Sequence, residues 1–141
     1  MKFRVQYTTD LELVNGLDAQ VFNQKEEELD LRGMWWVVMY RNKPVAYAGM
    51  KLFETPDGLM AYFHRVGVLA KFRNKGLHKR LLRKRIQVAR NLEVTDIVTY
   101  TVYYNAVSNN NLMSVGFRQY HPGYAWVGTD EVVYWTKSLS Q

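Results

Sequence analysis

Two stretches of the chain hold residues whose types and spacing suit chemistry. In KFRNKGLHKRLLRKR, residues 71–85, eight lysines and arginines and His78 share fifteen positions with no acid. Gly76 sits there among Arg73, Lys75 and Lys79, where a strand pattern gives way to a helical one. Free backbone N–H groups and the positive end of the helix dipole meet at such a place, and anions bind there. Gly76 removes a side chain where a ligand would approach the backbone. A helix start with a solvated, charged face is the plainer alternative. The sequence contains neither a G-x-x-x-x-G-K-[ST] loop nor the three glycines of a dinucleotide fingerprint, so the two commonest nucleotide motifs are excluded.

The second stretch is AYFHRVGV, residues 61–68. Tyr62 and His64 stand two apart, so on a strand they point to one face, and the same alternation is expected to put Val66 and Val68 there too. Histidine titrates near neutrality, which makes His64 a candidate general base. A strand histidine held in the core or at the surface is the alternative. No second histidine or acid lies at ligand spacing, so no metal is expected. The chain has no cysteine, which excludes disulfides, thiolate metal sites and a cysteine nucleophile.

These residues need elements to hold them. The chain has 141 residues, 48% of them hydrophobic, enough for one domain, residues 1–141, with an ordinary core. FRVQYTT alternates as a first strand. Thr9 is the expected N-cap of a helix spaced by Leu13, Leu17 and Val21, and QKEEELDLR reads as a short acidic helix after it. Three strands follow over residues 34–69, parted by turn signals at RNKP and TPDG. From Asn74 the period becomes helical, with Leu77, Leu81, Ile86, Ala89 and Leu92 on one face of a long helix and the basic residues on the other. DIVTYTVYY is a strand, NAVSNNNLMSVG a short helix ending at Gly116, and FRQYHPGYAWVGTDEVVYWTKSL a last pair of strands. The order is β-α-α-β-β-β-α-β-α-β-β.

Nine of the nineteen basic residues lie between positions 71 and 90, and the rest of the chain carries ten basic against thirteen acidic residues, a net of −3. The basicity is therefore local. MKFRVQYTTD has the pattern of neither a signal nor a transit peptide, and no apolar run approaches the roughly 18 residues of a spanning helix. A cytoplasmic protein with no membrane partner is expected.

VGVLAKFRNKGLHKRLL, through Val66, Val68, Arg73, Gly76, Leu81 and Leu82, resembles the central motif of the GNAT superfamily of acyl-CoA-dependent N-acyltransferases. In that motif a strand is followed by [RQ]-x-x-G-x-[GA] opening a long helix. The match departs at Ala70, where proline is common, and at His78, where glycine or alanine is usual. NAVSNNNLMSVGF supplies Asn105, Ser108, Gly116 and Phe117 at the spacing of a second family element. The strand order derived above fits the same fold from end to end. The resemblance implies an α/β fold of the α+β type, a single GNAT-like domain. Its twisted sheet, mixed and mostly antiparallel, would have about six to seven strands flanked by about four helices.

It also implies an N-acetyltransferase that moves an acetyl group from acetyl-CoA to a primary amine by direct attack in a ternary complex. Backbone amides of Asn74, Lys75, Gly76, Leu77, His78 and Lys79 would surround the coenzyme A pyrophosphate. Arg73 would brace the loop or a phosphate, and the His78 side chain is expected to turn outward and donate to a phosphate oxygen. The pantetheine arm would lie along the strand edge at Val66, Gly67 and Val68, with Asn105 and Ser108 meeting it from the other side. The Val68 N–H would stabilise the oxyanion.

An alkyl amine with a pKa of about 10 is mostly protonated at neutral pH, so something must accept its proton. In the serotonin N-acetyltransferase branch two histidines on this strand take protons through water; His64 matches one of those positions and Tyr62 the other. The tyrosine that many members place four residues before the glycine of G-F is Leu112 here. Tyr103, Tyr104, Tyr120 and Tyr124 are open substitutes, as are water and direct departure of the thiolate. Trp35, Trp36, Tyr120, His121, Tyr124, Trp126 and Trp135 make the expected acceptor side aromatic, unless they are core, and HPGY is a candidate loop over that site. The acceptor partner is left open between an amine-bearing small molecule and a peptide or protein, and a dimer is compatible. The rival reading keeps the fold, with the catalysis lapsed, and gives the basic helix of residues 71–90 to nucleic acid or a protein partner, with Arg80, Arg83, Lys84 and Arg85 on phosphates. No base-reading motif is present, so it ranks below acyl transfer.

Overall fold

The structure, a computed structural model, describes residues 2–22 and 29–139. Strand β1 (Arg4–Thr8) leads into helix α1 (Leu11–Val21), and β2 (Met34–Tyr40), β3 (Lys43–Thr55) and β4 (Gly58–Val68) follow as an antiparallel meander. Arg41 and Asn42 turn the first hairpin with φ of 49° and 63°, the left-handed pair that matches the twist of the flanking strands. Then come α2 (Leu77–Asn91), β5 (Asp96–Val102), α3 (Ala106–Ser114), β6 (Arg118–Tyr120) and β7 (Val132–Ser138). The strands make one seven-stranded sheet in the order β1-β2-β3-β4-β5-β7-β6. Every neighbouring pair is antiparallel except β4 with β5.

Strand alternation divides the core between the two faces of the sheet. Trp36, Ala46, Ala48, Met50 and Phe63 pack beneath α2, and Trp35, Val37 and Tyr47 pack beneath Val14 and Leu17 of α1. α2 buries Leu77, Leu81, Leu82, Ile86 and Ala89, each large apolar side chain contributing about 1.5–3 kcal/mol. Among the described residues no helix is long and apolar enough to cross a membrane.

Several local expectations change. Asp10, not Thr9, caps α1, its Oδ1 accepting the Leu13 N–H at 3.1 Å. α2 starts at Leu77 and not at Asn74, because Asn74 and Gly76 both take left-handed conformations, φ 63° and 76°, through which a right-handed helix cannot run. Leu92 falls outside the buried face and is exposed. Arg85 leaves the basic face altogether and is buried. The acidic helix expected over residues 24–32 lies mostly outside the described residues, and its described end, 29–32, is not helical. The described residues thus hold three α-helices and one 3-10 turn, Ala70–Phe72.

Two irregularities of β4 position the site. His64 stands opposite Gly49, yet Val66 stands opposite Ala48, so Arg65, at φ 46°, is an extra residue bulged out of the ladder. The bulge reverses the alternation. Val66 and Val68 lie with Phe63 on the α2 face, not with Tyr62 and His64 as simple alternation predicts. On its other edge β4 pairs with β5 only at Met60, Ala61 and Tyr62, and beyond that point the two strands part.

Candidate active site

The parting of β4 and β5 opens a cleft of about 280 Å³, lined by Tyr62 and His64 from one face of the sheet and by Val66, Leu82 and Arg85 from the other. It shares Val66, His78, Asn105 and Ser108 with a larger groove of about 670 Å³ that runs past the end of β4 to the loop at Arg73 and Gly76. All the cofactor residues expected from the sequence line this groove except Lys75 and Lys79, which flank it.

The groove presents backbone N–H groups along one edge and at its far end. The Leu69 N–H donates to the Val45 carbonyl at 3.0 Å. Amides alternate in direction along a strand, so the Gly67 N–H also faces β3, while those of Val66 and Val68 face the open edge. At the far end Gly76 is left-handed with empty space where a Cβ would stand. α2 has no side-chain cap and no acid in its first turn, and its first bond runs from the Arg80 N–H to the Gly76 carbonyl at 3.0 Å. The N–H groups of Leu77, His78 and Lys79 are left without helical partners. Arg73 braces the loop, its Nε donating to the Val68 carbonyl at 3.2 Å.

His78 does not turn outward. Its Nδ1 lies 2.7 Å from Nδ2 of Asn111 on α3, and burial pushes the imidazole down to about 4. It ties α2 to α3 across the groove as a neutral ring. Asn105 caps α3, accepting the Ser108 N–H at 3.2 Å.

His64 is 8% exposed and packs between the rings of Trp35 and Tyr62, at 4.9 and 5.4 Å. Its Nε2 is sealed, without a hydrogen-bond partner among the described residues, over Gly49, where a Cβ would come within 2.8 Å of it. Nδ1 is the nitrogen left toward the cleft. Burial first, and then the charge of Lys51, pull the imidazole down to about 4. Tyr62 is pushed up, by burial and then by Tyr100, so its hydroxyl keeps its proton. Tyr100 stacks parallel to Tyr62 at 6.4 Å, and Trp126 stands edge-on to both at 5.6 and 5.7 Å. Trp126 is carried by the β6–β7 loop, where the Val127 N–H donates to Tyr134 Oη at 3.1 Å.

The bulge is clamped from α1. Nε and Nη2 of Arg65 donate to Asp18 at 2.8 and 3.2 Å, Tyr47 Oη donates to the same carboxylate, and the guanidinium lies 4.0 Å from the ring centre of Phe22. The expected acceptor aromatics separate: Trp35, Trp36 and Trp135 are fully buried core, and Tyr120 and His121 line a separate cavity. Tyr103, Tyr104 and Tyr124 are exposed and do not line the cleft, which weakens them as proton donors. Leu112 does line it. Arg85, Tyr100 and the Asp18–Arg65 pair belong to no motif. Only Arg85 had a sequence signal, since it shares the helical row of Leu81 and Ala89, one turn from each. Its burial also removes it from the phosphate contacts of the nucleic-acid alternative.

The two lowered histidines set a pH dependence. As the pH falls from 6.5 toward about 4, the unfolded chain takes up protons that the folded one refuses. Stability is full above that window and falls within it by about 1.4 kcal/mol per pH unit for each histidine. Denaturant unfolding at a series of pH values should show the decline. Equal stability at the two ends of the window would mean that both rings protonate freely in the folded protein.

Residues 4–117 match the acetyltransferase (GNAT) family, and the chain belongs to that family. No curated protein matches it in sequence. Among solved structures, the ribosomal-protein-S18-alanine N-acetyltransferase from Escherichia coli superposes with a TM-score of 0.78 at 16% identity, over 99% of this chain and 96% of that one. Arabidopsis thaliana Naa50 in complex with the bisubstrate analogue CoA-Ac-MVNAL gives 0.79 at 16% identity, over 98% and 99%. The yncA protein from Salmonella typhimurium, solved with its cofactor acetyl-CoA, gives 0.77 at 16% identity, over 99% and 95%. At these identities the likeness is one of fold.

Proposed function

We propose that the protein is an N-acetyltransferase that moves the acetyl group of acetyl-CoA to a primary amine by direct attack within one ternary complex. The observation that carries this reading is the continuous path from the left-handed Gly76, along the free amides of Val66 and Val68, to His64. Coenzyme A fits that path. The unpartnered N–H groups of Leu77, His78 and Lys79, with Lys75 beside them, suit a pyrophosphate, and the free edge of β4 suits an extended amide-bearing arm. When bound, the thioester supplies an activated carbonyl carbon.

The chain's own residues then manage charge and protons. His64 is neutral at physiological pH, so Nδ1 can accept the proton of the attacking amine, directly or through water. The burial that keeps it neutral makes it a weak base, suited to passing the proton on. Tyr62 is the neighbouring hydroxyl that stays protonated. The Val68 N–H faces the edge where oxyanion charge develops and can stabilise it. Tyr62, Tyr100 and Trp126 wall the acceptor's approach. The proposed acceptors are peptides or proteins, in keeping with the names of the similar structures, and small amines. Calorimetric titration with acetyl-CoA and CoA, followed by thiol release over a panel of amines and peptides, tests the reading. Micromolar binding and amine-dependent release are expected. No binding by the folded protein would overturn it and leave nucleic-acid binding by the basic helix, measured against salt, as the reading to test.

A further inference from the structure

Among the described residues, Arg85 is a buried cation without a counter-charge. Its side chain is 2% exposed and its guanidinium lies 4.6 Å from the ring centre of Phe63. Nε donates to the Leu81 carbonyl at 3.2 Å and Nη1 to the carbonyl of Gly49, beside the bulge, at 3.0 Å. Nη2 has no partner among the described residues, and Arg85 lines the cleft. The ion pairs among the described residues join Asp30 to Arg32, Asp30 to Lys51 and Asp18 to Arg65; none reaches Arg85. Burial alone acts on the guanidinium, lowering it to about 9, so it is charged at neutral pH.

Among the described residues, the cleft wall has no aspartate or glutamate. Its threonine protons are already committed, Thr99 Oγ1 donating to the Phe63 carbonyl at 2.6 Å and Thr101 Oγ1 to Asn109 Oδ1 at 2.5 Å. Arg85 offers a free charged donor there. A buried charge left in this state is strongly unfavourable unless an anion meets it.

The place for a pyrophosphate at the head of α2 is a different one: Arg73 and Gly76 line the outer groove, and Arg85 lines the inner cleft instead. Arg85 lies nine residues beyond Gly76, about 13 Å along the helix at about 1.5 Å per residue. It stands at the other end of the path, where an acyl group would be delivered. It also enters from the α2 face with Val66 and Leu82, opposite the face of Tyr62 and His64, which places it on the donor side.

We propose that the cleft receives a carboxylate-terminated acyl group, the short dicarboxylic monothioester of coenzyme A such as malonyl or succinyl, with its free carboxylate on Nη2 of Arg85. The assignment rests on the acyltransferase reading above. In the transfer the amine nitrogen bonds to the thioester carbon as the C–S bond breaks, the amine's proton ends on the thiolate, and the distal carboxylate is unchanged. The products are an N-carboxyacyl amide and free CoA thiol.

Calorimetric titration with acetyl-, butyryl-, malonyl- and succinyl-CoA tests it. The carboxylated thioesters should bind roughly tenfold or more tightly than the uncharged ones. Arg85→Met, with its folding checked by its thermal transition, should close the gap. Equal affinities in the wild-type protein overturn the proposal, whatever becomes of the variant. If no thioester binds at all, the acyltransferase reading falls and this one with it. If the gap is absent but free amino acids release thiol from acetyl-CoA faster than their amides do, the carboxylate belongs to the acceptor, and the assignment to the donor is overturned.

Discussion

Gly76→Glu lowers the affinity for acetyl-CoA on the order of a hundredfold or more. Two effects act together. The glycine holds φ at 76° with nothing within 4 Å of an added Cβ, so the new side chain projects into the space before the α2 amides. There its carboxylate occupies the N–H groups of Leu77, His78 and Lys79 and repels an incoming phosphate. Each tenfold of lost affinity corresponds to about 1.4 kcal/mol, and displacing two or three charge-assisted hydrogen bonds exceeds that. Gly76→Asn separates charge from backbone, because asparagine tolerates the left-handed conformation and carries no charge. It should bind within a few-fold of wild type. Equal loss in both variants would mean that the loop's shape is what matters and that no anion sits on it.

His64→Gln reduces kcat on the order of a hundredfold or more, with the affinity for acetyl-CoA changing far less. Glutamine remains neutral and polar in the pocket between Trp35 and Tyr62 but accepts no proton. The wild-type pH profile adds a second readout. With the imidazole held at about 4, the rate should climb above neutrality with deprotonation of the acceptor amine and show no break near 6.5. A break there would put His64 in contact with bulk water. A variant within a few-fold of wild type would reduce His64 to a packing residue.

The meander was legible because its punctuation is local. RNKP places Arg41 and Asn42 in the turn, and TPDG ends β3. The anion loop was legible for the same reason, since a glycine among cations before an apolar helical row is a property of adjacent residues. The bulge was not. HRVGV carries no proline, and its glycine lies two residues past Arg65, so nothing in the pattern marks the extra residue. Both valines were consequently assigned to the wrong face. The orientation of His78 is not legible in the sequence, because its partner, Asn111, lies 33 residues away and only tertiary packing brings it near. For the tryptophans of β2 and β7 the sequence favours core over acceptor wall, since strand aromatics are usually core, and burial bears that out at Trp35, Trp36 and Trp135. Trp126 reaches Tyr62 and Tyr100 through the course of a loop that no periodicity describes.

The short pairing of β4 with β5 has a mechanical consequence. Three register pairs at Met60, Ala61 and Tyr62 are the seam between two panels, β1 to β4 and β5 to β7. Toward Val66, among the described residues, no further register pair joins the panels, which meet there through the Thr99 Oγ1–Phe63 carbonyl hydrogen bond, helices α2 and α3 and the His78–Asn111 contact. A molecule lying along the free edge of β4 and touching α3 would act as the missing strand, converting a sheet hinged at one end into a sheet closed at both. Rigidity would then be supplied by the substrate, and a ligand that binds only the folded chain stabilises it in proportion to its saturation. Under the proposed function, the protein without its acyl donor would be looser as well as idle.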